Sequence, residues 1–212
     1  MKSFWSGNLK KGNGLFVFIV FLIIHLLPLF ATDVLLTLDG PSHLYNAKIF
    51  NELLGGNVFL SEYYFINTEL VPNYLGHLIL SFFLLLMGPF MALKLIHLLY
   101  VVGIAIAFRK LVLTINPANG KLSVLIFPLI YSAPFISVFY NFSLALILLL
   151  WTLYFWFKNK ENRSLLFYIK LGVLMLLTYF SHSFTFAVLC LSLGIITIGE
   201  YGLKNMKGWF VE

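Results

Sequence analysis

The sequence predicts an all-α polytopic membrane bundle of about six transmembrane helices, with two interfacial helices in the first outer loop. Two observations carry that class. Of the 212 residues, 61% are hydrophobic and 10% charged, against about 45–50% apolar and about 25% charged in ordinary soluble domains. Apolar runs also recur at the length of a bilayer core, about 20 residues each, and the first of them, residues 15–38, is interrupted by one Asp, one His and one Pro. The net charge of +6 is therefore read as topology and not as affinity for nucleic acid. Residues 1–212 form a single transmembrane domain on this reading. The one cysteine, Cys190, permits no disulfide within the chain. A cleaved signal peptide is disfavoured, because the first apolar run is long and no A-x-A-like site follows it.

The first span is expected over residues 15–31 and the second over residues 90–108. Residues 122–157 are 36 mostly apolar positions, too many for one span, and they break between Pro134 and Asn141 into a third and a fourth. Residues 165–199 are another 35 and break at Ser181-His182-Ser183 into a fifth and a sixth. Residues 41–54 read as an amphipathic helix with Gly40 as its cap and Pro41 in the first turn. Tyr45, Ile49, Phe50, Leu53 and Leu54 share one face, opposite Lys48, Asn51 and Glu52. Gly55-Gly56 ends it. A helix of that character lies in the plane of the interface.

Residues 72–87 are the ambiguous segment: an apolar helix of 16 residues opened by Pro72. At 1.5 Å per residue it reaches roughly 24 Å, short of the ~30 Å hydrocarbon core. Charge decides its placement. If it does not cross, all 14 Lys and Arg residues except Lys48 and Lys94 fall on one side, in the N-terminus and the loops 109–121, 158–170 and 200–212. The opposite side then holds Asp33, Asp39, Glu52, Glu62 and Glu69, five of the eight acids. If it crosses, the basic residues scatter over both sides. The excess of Lys and Arg on cytoplasmic loops favours the first arrangement. The N-terminus is then cytoplasmic, and residues 32–89 lie outside a cytoplasmic (inner) membrane.

The polar residues collect on the outer side. Asp39 stands at the mouth of the first span, with His43 one helical turn later. A carboxylate there gains from the positive end of the helix dipole and serves as a general base towards a hydroxyl; the plainer reading is a helix cap. His43, His77 and His182 fall at the outer face and His97 in the outer half of the second span. His25, mid-span, is read as a packing residue, and each of the others taken singly reads as a hydrogen-bonded packing residue too. Their clustering on one side points to a shared outer cavity, because polar groups at membrane depth usually face one. Lys94 shares a helical stripe with His97; it either snorkels to the headgroups or binds the phosphate of a lipid-linked substrate. Tyr140 and Asn141 mark the turn between the third and fourth spans, also outside. The histidine spacing matches no metal signature, so no metal is assigned, and a divalent ion is left open. Asn141-Phe142-Ser143 and Asn162-Arg163-Ser164 match the glycosylation acceptor pattern, a signal of low specificity.

An Asp just outside a first span, two helices along the outer interface and then short alternating spans resemble the GT-C class of polytopic glycosyltransferases. The stretches "DGPSHLYNAKIFNELL", "VPNYLGHLIL" and "FYNFSLALILLL" are similar to bacterial members of that class, and the resemblance runs from Leu15 to Gly199. It implies a sugar transferase that takes its donor from a polyprenyl phosphate at the outer face. It assigns Asp39 the role of catalytic base or acceptor-orienting group. The next outer loop offers Tyr140 and Asn141 where many members carry a second acid. Members are longer, so the chain is expected to be the N-terminal part of a larger GT-C-like module. Asp39 and His43 are thus the candidate catalytic residues. Lys94, His77, His97, His182, Tyr140 and Asn141 are the candidate substrate-binding residues, and membrane lipids and the lipid-linked donor are the partners. A multi-pass transporter or lipid flippase, and a non-catalytic membrane protein, are the alternatives. A transporter tends to place charge at mid-membrane, where this sequence has almost none.

Overall fold

The computed structural model describes residues 14–32, 37–137, 140–161 and 163–206. The N-terminal basic stretch, Asp33, Asn162 and the terminal "KGWFVE" lie outside them. The described chain is helical throughout, without a strand. In order it forms α1 (Leu15–Ala31), α2 (Gly40–Leu54), the single turn α3 (Val58–Ser61), α4 (Leu75–Leu86) and α5 (Pro89–Ile115). A 3₁₀ helix (Pro117–Ile126) leads into the short α6 (Phe127–Ile130) and α7 (Ala133–Ile136). Then follow α8 (Tyr140–Lys158), α9 (Leu165–Ser181) and α10 (Ser183–Met206), the last interrupted at Gly202. Among the described residues, three helices are long and apolar enough to cross a membrane: Pro89–Ile115, Tyr140–Lys158 and Ser183–Glu200. Four shorter apolar segments accompany them: Leu15–Ala31, Leu75–Leu86, Pro117–Ile130 and Leu165–Ser181.

Side-chain contacts fix the directions of these elements. At one end of the bundle Phe18 of α1 lies under the Arg109 guanidinium, 4.8 Å from ring centre to Cζ. The buried Arg109 donates to Ser123 Oγ (2.7 Å) and to the Gly120 carbonyl (3.2 Å). Arg109 therefore belongs to α5 and ties it to α1 and the 3₁₀ helix; the sequence had placed it in a loop. The helix continues to Ile115 because residues 109–115 contain neither Gly nor Pro.

The third expected span departs most from expectation. Residues 117–136 return alongside α5, with Ser123 beside Arg109, the Ile130 carbonyl accepting from the Tyr100 hydroxyl (3.1 Å) and Phe135 against the His97 ring. They do so as a 3₁₀ helix and two single α-turns, not as one α-helix. Pro128 and Pro134, each in the first turn of one of the short α-helices, lack the N–H that one continuous α-helix would need there. The 3₁₀ form rises about 2.0 Å per residue, so this segment covers its path with fewer residues than an α-helix would use.

Helix α2 begins one residue earlier than expected. Asp39, not Gly40, occupies the cap, and its side chain makes no cap hydrogen bond. At φ −102°, ψ 4° its backbone is outside the β region from which a cap side chain reaches back to the helix N–H groups. At the other end Gly56 N–H bonds the Leu53 carbonyl (3.1 Å) and Asn57 N–H the Glu52 carbonyl (3.0 Å), the paired closure expected of a glycine stop. Of the expected apolar face, Ile49 is buried and Phe50 and Leu53 are half-buried, whereas Tyr45 and Leu54 are exposed; Ala47 is buried as well. Asn51, assigned to the polar face, joins α4 through Ser81: its Nδ2 donates to the Ser81 carbonyl (3.0 Å), and the Ser81 hydroxyl donates to its Oδ1.

Helix α4 starts at Leu75, three residues later than Pro72 suggested. The cause is Asn73, whose φ of 63° is left-handed and cannot be helical. With 12 residues, α4 is about 18 Å long, which is well short of a bilayer core. It packs chiefly on α2. His43 meets His77, and further along both helices Asn51 meets Ser81, so the two run in the same direction.

Candidate functional site

The end of the bundle opposite Arg109 gathers the breaks before α2, before α4, after α7 and between α9 and α10. The segment before α2 is held to the break after α7, where Leu38 N–H donates to the Ile136 carbonyl (3.3 Å). Gly40 then passes so close to α8 that a Cβ would strike the Thr37 hydroxyl and sit 3.3 Å from the Tyr140 hydroxyl. The buried Tyr140 hydroxyl lies close to Thr37 and 3.0 Å from Nε2 of the buried His97. The His43 ring packs on Tyr140 with centroids 5.1 Å apart. His43 Nδ1 and His77 Nε2 are 2.9 Å apart, in hydrogen-bonding contact. Four side chains from α2, α4, α5 and α8 thus form one connected polar core.

A second strand of the same network runs through Asn141, which is buried beside Tyr140 on α8. Its Oδ1 accepts from Gly76 N–H (2.6 Å) and its Nδ2 donates to the Asn73 carbonyl (2.9 Å). Its own carbonyl accepts from the Ser181 hydroxyl (2.7 Å), and Tyr74 N–H donates to the Phe180 carbonyl (2.9 Å). Burying an unbonded amide costs several kcal/mol, of order 2–7, so each of these bonds matters to the local fold. Gly76 has no substitute here, because a Cβ would lie 2.6 Å from Asn141 Oδ1. An asparagine enclosed in this way is a structural clasp between α4, α8 and α9, and the Asn141-Phe142-Ser143 pattern is not presented for modification.

Of the eight candidate residues, the structure joins five: His43, His77, His97, Tyr140 and Asn141. Asp39 borders the cluster, half-buried, next to the Gly40 that abuts Tyr140. Lys94 is half-buried on α5, one turn before His97, and makes no hydrogen bond or ion pair among the described residues. His182 caps α9 in an extended conformation, bonds Thr185 (3.2 Å) and stacks edge-on to Phe142. It adjoins the clasp through Ser181 without entering it.

Three residues of this network were not singled out from the sequence: Thr37, Asn73 and Ser181. Only Asn73 carried a local signal, since Pro-Asn favours a turn and Asn tolerates left-handed φ.

Burial holds His77 below the ordinary imidazole range, partly offset by its bond to the Asn73 carbonyl. A neutral His77 is therefore the resting form. Among the described residues no group of three or more His, Cys, Asp or Glu side chains is arranged to hold a metal ion. Two cavities flank α2. A groove of about 940 Å³ runs between α2 and the end of α4, lined by Leu44, Lys48, Asn51, Glu52, Leu84 and Met87. A smaller one of about 240 Å³ lies under residues 64–67 and reaches His77. Asp39 lines neither. Comparison of the chain with protein-family models, with curated proteins and with solved structures finds no match.

Proposed function

We propose that the protein is an inverting sugar transferase of the GT-C type, acting with a polyprenyl-phosphate-linked donor at the outer face of the cytoplasmic membrane. The observation that supports this reading most is the convergence of Asp39-Gly40, His43, His77, His97 and Tyr140 at one end of the bundle. They come from segments far apart in sequence, all of which the charge pattern places on the outer side. Six crossings are proposed, the irregular segment 117–136 being the third. In the reaction, an acceptor hydroxyl attacks the anomeric carbon. Its oxygen forms the new glycosidic bond, its proton passes to the Asp39 carboxylate, and the bond from the anomeric carbon to the phosphate oxygen breaks. The polyprenyl phosphate leaves as the anion, and Lys94 offsets its charge.

The test is to supply membranes containing the protein with a polyprenyl phosphate bearing a radiolabelled sugar. Labelled acceptor should form while free polyprenyl phosphate accumulates. Passage of the intact donor across the membrane, with no new glycosidic bond, would support transport instead. In the same assay Lys94→Ala should raise the apparent KM for the donor; an unaltered KM would return Lys94 to snorkelling.

The orientation has its own check. A cysteine introduced at Asn67 should react with an impermeant maleimide added to intact cells, and one at Asn119 should not. The opposite labelling pattern would invert the proposed topology.

A further inference from the structure

We propose that residues 58–70 anchor the protein in the interfacial layer of the bilayer, with Phe65 and Leu70 as the inserted side chains. Two properties of this segment pull in opposite directions, and together they fix its depth. The first is apolar exposure. Phe65 is 87% and Leu70 80% exposed, and Val58, Phe59, Tyr63 and Tyr64 are exposed beside them. Large apolar side chains gathered in this way mark an interaction surface. The second is the backbone. Residues 62–74 belong to no helix. Among the described residues, the N–H groups of Phe65, Ile66, Asn67, Thr68 and Leu70 donate to no protein acceptor. Such groups need water or lipid headgroups as partners, and the hydrocarbon core offers neither. The side chains call for an apolar neighbour and the backbone for a polar one. The headgroup boundary supplies both, and it is the level at which aromatic residues collect in membrane proteins.

The fold carries the segment to that boundary. Tyr74 N–H donates to the Phe180 carbonyl (2.9 Å), just before Ser183, where one of the helices apolar enough to cross a membrane begins. Residues 66–71 enclose a cavity of about 500 Å³ with Leu177 and Phe180 of α9, so this stretch runs beside the last turn of α9. Asn67 Oδ1 accepts from Glu69 N–H (2.8 Å), which makes a local turn between Phe65 and Leu70. No Lys or Arg occurs between Lys48 and Lys94, so the segment has no cation with which to hold an anionic headgroup. The exposed Glu62 and Glu69 stay towards water. Insertion draws on apolar burial alone, and neutral lipid suffices for it. Which leaflet receives the anchor follows from the topology proposed above; the depth does not.

The depth is measurable. The full chain, with Cys190→Ala as background, is spin-labelled at one introduced cysteine and reconstituted in vesicles of phosphatidylcholine alone. Collision of the label with oxygen, which concentrates in hydrocarbon, is compared with collision with a water-soluble nickel chelate. Leu191→Cys, exposed midway along α10, gives the value for the core, and Lys160→Cys, exposed between α8 and α9, the value for water. Phe65 and Leu70 are exposed, so labels there displace no packed group, and a thermal scan of each variant confirms that it is folded. Phe65→Cys and Leu70→Cys should both give an oxygen-to-nickel ratio several-fold above that of Lys160→Cys and below that of Leu191→Cys. A ratio at the water value for either position would overturn the anchor, and a ratio equal to that of Leu191→Cys would overturn its interfacial depth. Protection of both positions from both reagents would also overturn it, since a second copy or another segment would then cover this face in place of lipid.

Discussion

Asp39→Asn is expected to lower sugar transfer by about 10²–10⁴-fold, the contribution typical of a general base, with the protein still folded and inserted. The substitution keeps the size and planarity of the side chain and removes its capacity to accept a proton. The structure strengthens the separation of the two effects. The Asp39 side chain makes no cap hydrogen bond to α2, so the helix start does not depend on the carboxylate. A capping role would predict the reverse: a loss of stability of about 0.5–2 kcal/mol on replacement by Ala and little change in turnover. Turnover and thermal stability measured on Asp39→Asn and Asp39→Ala together decide between the two. Wild-type turnover in Asp39→Asn would leave Asp39 without a catalytic part.

Glu200→Ala should destabilise the protein by about 3–5 kcal/mol, the cost of removing one partner from a buried ion pair. Arg163 Nη2 lies 2.8 Å from Glu200 Oε2, and both side chains are almost enclosed, at 11% and 10% exposure. The guanidinium also rests on Trp156 at 4.0 Å and faces Phe167 at 5.8 Å. Removing the carboxylate takes from the nearly enclosed Arg163 its acidic partner at 2.8 Å. Lys160, at 3.6 Å from Glu200 and 60% exposed, adds little, as exposed pairs do. A loss of that size corresponds to a fall in melting temperature of roughly 6–20 °C for a chain of this length, read in a lipid or detergent thermal scan. The double variant Glu200→Ala, Arg163→Met should recover much of it, since an apolar replacement of the whole pair is often neutral. A fall below about 1 °C for Glu200→Ala would show that the pair contributes nothing.

How far the sequence could be read differs by element, for physical reasons. The helix boundaries at Ala31, His182 and Lys158 were legible because apolar length and polar punctuation coincide there. The start of α4 was not, because Pro72 is a good helix opener and only the tertiary bonds to the Asn73 carbonyl select its left-handed form. The irregular course of residues 117–136 was hidden for a related reason: hydropathy reports apolar length and not helical type. At the site, the histidines other than His25 were expected as a set on one side, and the structure brings His43, His77 and His97 together at one end of the bundle. Which of them touch was not legible, since the pairing of His43 with His77 and of His97 with Tyr140 depends on helix rotation. Asn51 was misassigned because a single amphipathic pattern does not show that its polar stripe meets Ser81.

The 3₁₀ stretch Pro117–Ile126 carries a consequence for how the chain is assembled. Ten residues is a long run for a geometry that seldom exceeds three or four, and its hydrogen bonds are weaker than those of an α-helix. Such a segment has no stable form as an isolated peptide in lipid, where every poorly bonded amide is exposed to hydrocarbon. Its shape is supplied by neighbours: Arg109 grips its middle, and the Tyr100 hydroxyl holds the Ile130 carbonyl just beyond its end. A third crossing made of residues 117–136, as proposed above, would take its shape only once α5 is in place and would not insert as an independent helix.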